Sequence, residues 1–272
     1  RLFTTAFADG QLLTMTPGGR LRALNNSGFI APGGVAVAPD GTVWVADSFS
    51  LRGFGSSRNP DISYYDRFDP RLAGPASANT VSLDGGSLIT TGWFSNSVQV
   101  LDAASGAVLQ DLRTLAVPVN AVRFGDALAV AQVGAGNVID ARSGAVLLAK
   151  LAYPLGLATD GDTLYVSDWA SGVVWAVSKS SSPRQVATNL LAPEGLAVDG
   201  GRLLVVEEGR DRVSAINLAT GAVTPVIEGL SLGSRVLPTA LPHGVFNGVS
   251  VGRNASIYVT DDGANAVYEF KR

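Results

Sequence analysis

Polar side chains that could bind a metal ion recur at one position of this chain, the middle of a Pro-x-Gly motif or its equivalent. That position is filled in turn by Gly33, Asn79, Asn120, Leu155, Glu194 and Asn247. Carboxylate and amide oxygens are the ligands that Ca²⁺ prefers, and the ion takes about six to eight of them. If the fold gathers these positions, Glu194, Asn247, Asn120 and Asn79 are the predicted metal ligands.

Two further residues are predicted candidates for proton transfer. His243 is the only histidine, and it lies four residues before Asn247. Glu207 ends the apolar run LLVV and is followed by a second carboxylate, Glu208. A neutral histidine or a carboxylate near a metal can serve as a general base.

A structural interpretation of the same residues stays open. Asparagine is frequent in turns because its side chain hydrogen-bonds the nearby backbone. Asp47, Asp168 and Asp261 end strand-like runs, where an aspartate commonly accepts hydrogen bonds from backbone amides. The alternative interpretation of His243, which general experience with lone histidines favours, is a surface loop position without a chemical role.

The candidate position opens a segment that the chain repeats. The segment PEGLAVDGGRLLVVEEG from Pro193 has counterparts from Pro32, Pro154 and Phe246, and weaker ones from Ala78 and Val119. Each copy has two apolar runs separated by a Gly, Asp or Asn turn, which predicts an antiparallel hairpin. Repeats of about 40 residues with four short strands each predict an all-β fold, the β-propeller. In that fold the inner strands all start at one end of a central channel, so the candidate positions form a ring.

The repeats spread evenly over the chain and predict a single propeller domain over residues 1–272. Repeats start near 32, 78, 119, 154, 193 and 246, which favours six blades. Residues 1–25 are predicted to be a partial repeat at the ring closure, because Leu2–Met15 aligns with Leu164–Val177. In the six-blade scheme Arg20–Leu24 closes the last blade; seven blades are the alternative.

Composition narrows the classes of function. The 272 residues carry a net charge of −3, 46% are apolar, and there is no cysteine. Without a basic stripe the chain lacks the electrostatic footprint of nucleic-acid binding. No apolar run is long enough for a membrane-spanning helix. The absence of cysteine excludes thiolate catalysis and disulfides, and it is compatible with any compartment. The expected location is secreted or periplasmic, by a slight preference.

Long connections and aromatic residues are the predicted places for partner binding. The insertion Phe54–Phe68, with Tyr64 and Tyr65, is predicted to be a partner-binding loop, since long insertions on rigid scaffolds often carry recognition. Trp93, Phe94 and Trp169 follow second strands, where they either pack between blades or form the wall of a ligand pocket.

The repeat pattern Pro-x-Gly-[Leu/Val]-Ala-Val-x-x-x-Gly-x-[Leu/Val]-x-Val-[Ala/Ser/Thr]-Asp resembles that of the NHL, SMP-30/gluconolactonase and streptogramin-lyase-like propellers. The resemblance covers essentially the whole chain. It implies that Glu194 and the Asn-Gly motif at Asn247 stand where SMP-30-like enzymes hold their metal. Glu194 is the one carboxylate at these positions, which departs from the pattern of SMP-30-like enzymes. The resemblance also implies that streptogramin-lyase chemistry uses more than one histidine, whereas this chain has one.

Two functions therefore remain. One is a non-catalytic, NHL-like binding or scaffold module that contacts a protein or a small molecule through its loops. The other is an SMP-30-like hydrolase or lactonase in which a calcium ion polarises an ester carbonyl and His243 or Glu207 transfers protons.

Overall fold

The structure is a computed structural model. It describes residues 2–6, 11–15, 21–25, 32–47, 50–54, 62–65, 75–76, 78–232, 246–252, 255–261 and 266–271. Side chains are described from residue 33 onward, apart from those of residues 47, 63, 65 and 266. Residues 55–61 and 66–74, which include most of the predicted partner-binding insertion, lie outside the described residues. His243 and the side chains of Asp47 and Tyr65 lie outside them as well.

The described residues form 26 strands. The first eleven are β1 (Leu2–Ala6), β2 (Gln11–Met15), β3 (Leu21–Asn25), β4 (Pro32–Val37), β5 (Val43–Asp47), β6 (Ser50–Phe54), β7 (Ile62–Tyr65), β8 (Thr80–Asp84), β9 (Ser87–Gly92), β10 (Ser97–Asp102) and β11 (Val108–Leu112). The next eight are β12 (Pro118–Phe124), β13 (Ala127–Gln132), β14 (Asn137–Asp140), β15 (Val146–Leu148), β16 (Pro154–Thr159), β17 (Thr163–Asp168), β18 (Val173–Ser178) and β19 (Arg184–Ala187). The last seven are β20 (Pro193–Asp199), β21 (Arg202–Glu207), β22 (Arg212–Asn217), β23 (Val223–Glu228), β24 (Val249–Val251), β25 (Ile257–Asp261) and β26 (Ala266–Phe270). One 3₁₀ turn, Glu208–Arg210, connects β21 to β22.

These strands form six antiparallel sheets, which are the blades of a six-bladed β-propeller. Five sheets contain four strands in chain order, and the sixth has the order β24-β25-β26-β1-β2-β3. The inner strands β4, β8, β12, β16, β20 and β24 contact one another in turn, and β24 contacts β4. The ring is therefore closed around a central channel, as the six inner strands in the sequence predict.

The strand that closes the ring differs from the sequence prediction. Strand β1 pairs with β26, with Phe3 opposite Val267, so Leu2–Ala6 is the closing strand and Arg20–Leu24 is not. β1 forms a hairpin with β2, and β2 pairs with β3. β3 is therefore the outermost strand of this sheet.

Apolar clusters between adjacent blades form the core. Leu157 and Leu164 of the fourth blade pack on Val122 and Ala129 of the third. Inner strands are apolar on both faces because each blade is covered on both sides, which is the pattern expected of strands buried in this way. This arrangement fixes the positions of the inner-strand starts.

The glycine of the Pro-x-Gly motif is required by the close approach of neighbouring blades. A Cβ atom added at Gly156 would lie 2.1 Å from the backbone oxygen of Glu194 in the next blade. Ser167 Oγ bridges the two blades, because it accepts from Gly156 N at 2.7 Å and donates to Glu194 O at 2.7 Å. The motif therefore sets the spacing of the inner strands.

The predicted partner-binding insertion is partly a strand. Ile62–Tyr65 is β7, the outer strand of the first blade. The Tyr64 ring stacks on Trp44 with centroids 6.0 Å apart, and its hydroxyl donates to Ala103 O in the second blade at 3.0 Å. Tyr64 thus packs two blades together.

Candidate binding face

We call the end of the ring where the inner strands begin the upper face. The loops that follow each second strand lie on the same face, because second strands run antiparallel to inner strands. Both sets of predicted site residues therefore meet there.

Two of the four predicted metal ligands are in direct contact. Glu194 and Asn247 are each 1% exposed. Glu194 Oε2 accepts hydrogen bonds from Asn247 Nδ2 at 2.8 Å and from Asn247 N at 3.0 Å. A buried carboxylate is stable only when it is hydrogen-bonded in this way, and this contact ties the fifth blade to the sixth.

The other ring positions have different surroundings. Asn79 Oδ1 accepts the backbone N–H of Trp93 at 2.8 Å, which is the turn-stabilising role that the alternative interpretation gives to asparagine. Asn120 lines the central channel. Leu155 is buried in an apolar cluster. Within the described part of the chain no group of three or more His, Cys, Asp or Glu side chains could hold a metal ion.

Glu207 is the centre of a hydrogen-bonded ion network. Its Oε1 accepts from Arg212 Nη2 at 2.7 Å and from Ser214 Oγ at 2.5 Å, and its Oε2 accepts from Leu191 N at 3.1 Å and from Arg210 Nη1. The side chain is fully buried. Burial alone would raise the pKa of Glu207, but the hydrogen bonds from Ser214, Arg212, Leu191 and Arg210 together lower it below its ordinary value.

Equivalent residues at the ends of other second strands also receive backbone amides. Asp168 accepts from Tyr153 N at 2.6 Å and from Ala152 N at 3.0 Å. Asp261 accepts from Ser231 N at 2.7 Å. The predicted hydrogen bonds to backbone amides are therefore present for Asp168 and Asp261, and the donors lie in the loop that precedes each blade.

An apolar cluster lies at the upper face. Its buried members come from opposite sides of the ring and are joined by half-buried aromatic and aliphatic residues of the upper loops. They are Val119, Tyr153, Leu155 and Phe246, with Trp93, Val133 and Trp169 packed against them. We call these seven residues the upper cluster. Phe94, next to Trp93, is 75% exposed.

Two contacts give the upper cluster its geometry. The Tyr153 and Trp169 rings are tilted at 55° with centroids 5.7 Å apart. Trp169 Nε1 donates to Glu208 Oε2 at 2.7 Å, so a carboxylate borders the cluster. Burial raises the pKa of Tyr153 to about 12, so its hydroxyl stays protonated.

Val119, Tyr153 and Phe246 are not among the site residues predicted from the sequence. Val119 and Phe246 directly precede the candidate positions Asn120 and Asn247, and Tyr153 lies two residues before Leu155. A bulky apolar residue directly before an asparagine ring position was the available signal for Val119 and Phe246, and no such signal marked Tyr153.

These observations define a six-bladed β-propeller with an apolar-aromatic cluster at one end of its channel. It is similar to a streptogramin B lyase structure, with a TM-score of 0.68 and 12% identity over 98% of this chain and 88% of that one. It is also similar to the WD40 β-propeller domain of Doa1, with a TM-score of 0.67 and 14% identity over 99% and 88% of the two chains. A chain of a nidogen/laminin complex has a TM-score of 0.62 and 18% identity over 84% and 92%.

No protein-family profile and no curated protein matches the chain. At these identities the similarities establish the fold, which confirms the predicted propeller class. The function has to be inferred from the residues of the site. In the described part of the chain, no helix is of the length and apolar character needed to cross a membrane.

Proposed function

We propose that the protein is a binding module that holds a protein segment or other apolar ligand on its upper face. The observation that carries this proposal is the upper cluster, which gathers two tryptophans beside the exposed Phe94. Aromatic residues on a rigid scaffold provide large contact areas at little cost in conformational entropy. The propeller fold of the similar proteins is also one that supports binding and scaffold functions.

The hydrogen bonding of Glu207 supports binding over catalysis. A general base works best with a pKa near the working pH, whereas the pKa of Glu207 is lowered. The two carboxylate oxygens of Glu207 together accept hydrogen bonds from four residues. We assign Glu207 to the support of the upper loops.

The proposal is tested by selecting binding peptides from a displayed random library on the purified protein. Phe94→Ser should lower the affinity of the protein for the selected peptides at least tenfold, because Phe94 is 75% exposed and adjoins the upper cluster. Leu109→Ser is the matched control, since Leu109 is also an exposed apolar residue of the second blade but lies on the outer strand β11. Titration by fluorescence anisotropy measures both affinities. A library that yields no binder, or binders that tolerate Phe94→Ser, would overturn the proposal.

Cation-dependent hydrolysis is a second candidate, favoured by the contact of Glu194 with Asn247. Rotation of the Asn247 amide would turn its oxygen towards the carboxylate, and a cation held by both would stabilise that arrangement. Such a cation would polarise an ester carbonyl. The donor set is small, because Asn79 Oδ1 already accepts the Trp93 amide.

Thermal unfolding with calcium and then with chelator tests this second candidate. A cation at about 100 times its dissociation constant adds roughly 2.7 kcal/mol to the free energy of unfolding. If the site exists, calcium raises the Tm of the wild type, and Asn247→Asp, which adds a carboxylate oxygen, enlarges the rise. An unchanged Tm in both proteins removes the hydrolase from consideration.

A further inference from the structure

An interblade cavity of about 390 Å³ lies between the first and second blades, at the end of the ring opposite the upper face. The turn after the inner strand of each blade contributes to its wall, and so does the turn between β10 and β11. Exposed residues of these turns lie at its mouth, among them Pro39, Asp40, Gly86 and Ala104. Molecules in solution can therefore enter the cavity.

Trp44 forms a rigid part of the cavity wall. It is 3% exposed and pairs across β5 and β6 with Gly53, which also lines the cavity. A Cβ atom added at Gly53 would lie 3.1 Å from the indole ring, so the indole takes the space that a side chain would need. The ring of Tyr64 stacks on Trp44 with 15° between the planes. These contacts hold the indole in place and give the cavity an aromatic wall of fixed shape.

The equivalent place between the fourth and fifth blades is filled by a larger side chain. Leu218 of the fifth blade stands at the position of Ala103, because each directly follows the third strand of its blade. Leu218 packs on the cluster that contains Tyr165, the counterpart of Trp44. Ala103 lines the cavity and lacks the isopropyl group of leucine. The cavity is therefore present where the second blade has alanine at a position at which the fold accepts leucine.

The lining of the cavity is mostly apolar. Asp40 is the one charged residue among the described residues that line it, and its Oδ1 accepts the N–H of Thr42 in the same turn at 2.9 Å. Burial of an ion in apolar surroundings is unfavourable, whereas burial of apolar surface is favourable. An anionic ligand would in addition be repelled by Asp40. The cavity therefore suits an uncharged ligand.

We propose that the interblade cavity binds an uncharged aromatic molecule of about two or three rings. An apolar cavity of about 150 Å³ holds one benzene molecule, so a volume of about 390 Å³ has room for a larger ring system. Aromatic rings gain stacked or edge-to-face contacts with an indole in addition to the burial of apolar area, and Trp44 is the residue that would provide these contacts. The cavity lies away from the upper face, so this inference is independent of the function proposed there.

The experiment titrates N-phenyl-1-naphthylamine into the purified protein and follows its fluorescence, which rises when this uncharged three-ring dye leaves water. We expect saturable binding by the wild type and at least tenfold weaker binding by Ala103→Leu, because the added isopropyl group occupies part of the cavity. Ala219→Leu is the matched control, since Ala219 is the exposed neighbour of Leu218 in the equivalent turn of the fifth blade. It should bind the dye like the wild type.

Gly86→Leu is a second variant that fills the cavity. Gly86 lines the cavity, and a Cβ atom added there would have no atom within 4 Å. Gly201→Leu is its matched control, because Gly201 occupies the same place in the Asp-Gly-Gly turn of the fifth blade and is equally open. Gly86→Leu should weaken dye binding at least tenfold, whereas Gly201→Leu should bind like the wild type. Circular dichroism reports whether each variant is folded.

Two comparisons locate the bound dye and define its class. Phe94→Ser should leave dye binding unchanged, because Phe94 lies on the upper face. 8-Anilino-1-naphthalenesulfonate, which has the same rings and a sulfonate, should bind at least tenfold more weakly than the uncharged dye. Absence of saturable binding, wild-type binding by both cavity variants, loss of binding in Phe94→Ser, or equal binding of the sulfonate would each overturn the proposal.

Discussion

Glu207→Ala is expected to lower the free energy of unfolding by about 3 kcal/mol. The substitution removes the acceptor of Arg210, Arg212, Ser214 and Leu191 N from a fully buried position. Arg210 and Arg212 are 37% and 21% exposed, so water recovers part of their solvation and limits the loss. Urea unfolding measures the change.

Glu207→Gln is the matched variant, because it keeps the shape and removes the charge. The pKa of Glu207 in the folded state is below its ordinary value. The ionised carboxylate therefore stabilises the protein at any pH above that ordinary value, and this stabilisation is lost as the pH falls through the lowered pKa. As pH falls below the ordinary glutamate pKa of 4.5, the wild type should therefore lose stability more steeply than Glu207→Gln. Equal slopes would contradict the role assigned to the carboxylate.

Gly156→Ala is expected to cost about 3 kcal/mol or more, because a backbone atom cannot move aside as a flexible side chain can. The new Cβ would lie 2.1 Å from Glu194 O and 3.0 Å from Ser167 Oγ. The fourth and fifth blades would have to separate, so near-ultraviolet circular dichroism should change as well as the urea midpoint.

Gly86→Ala is the control for this prediction. Gly86 lies in a hairpin turn, no atom would be within 4 Å of an added Cβ, and its φ is outside the left-handed region. Its stability should stay within about 1 kcal/mol of the wild type. Equal losses for the two variants would show that glycine is not needed for the approach of the blades.

The site was predicted from the sequence in part. The repeated motif identified the ring positions, because residues at equivalent places of equivalent blades must share one end of the channel. It could not give hydrogen-bond partners. Asn79 and Asn247 look alike in the sequence, yet Asn79 holds a backbone amide of its own blade and Asn247 holds Glu194 of another.

The six inner strands, and with them the propeller, follow from the sequence, because each repeat carries its own turns and its own two-sided apolar strand. The strand that closes the ring depends on tertiary contacts, since that pairing joins β1 to β26 across the whole chain. Tertiary contacts also bury Glu207 among its hydrogen-bond donors and bring Phe246 to Tyr153 and Leu155 in the upper cluster. Such contacts join residues that are distant in the chain, and local pattern carries no information about the distance between them.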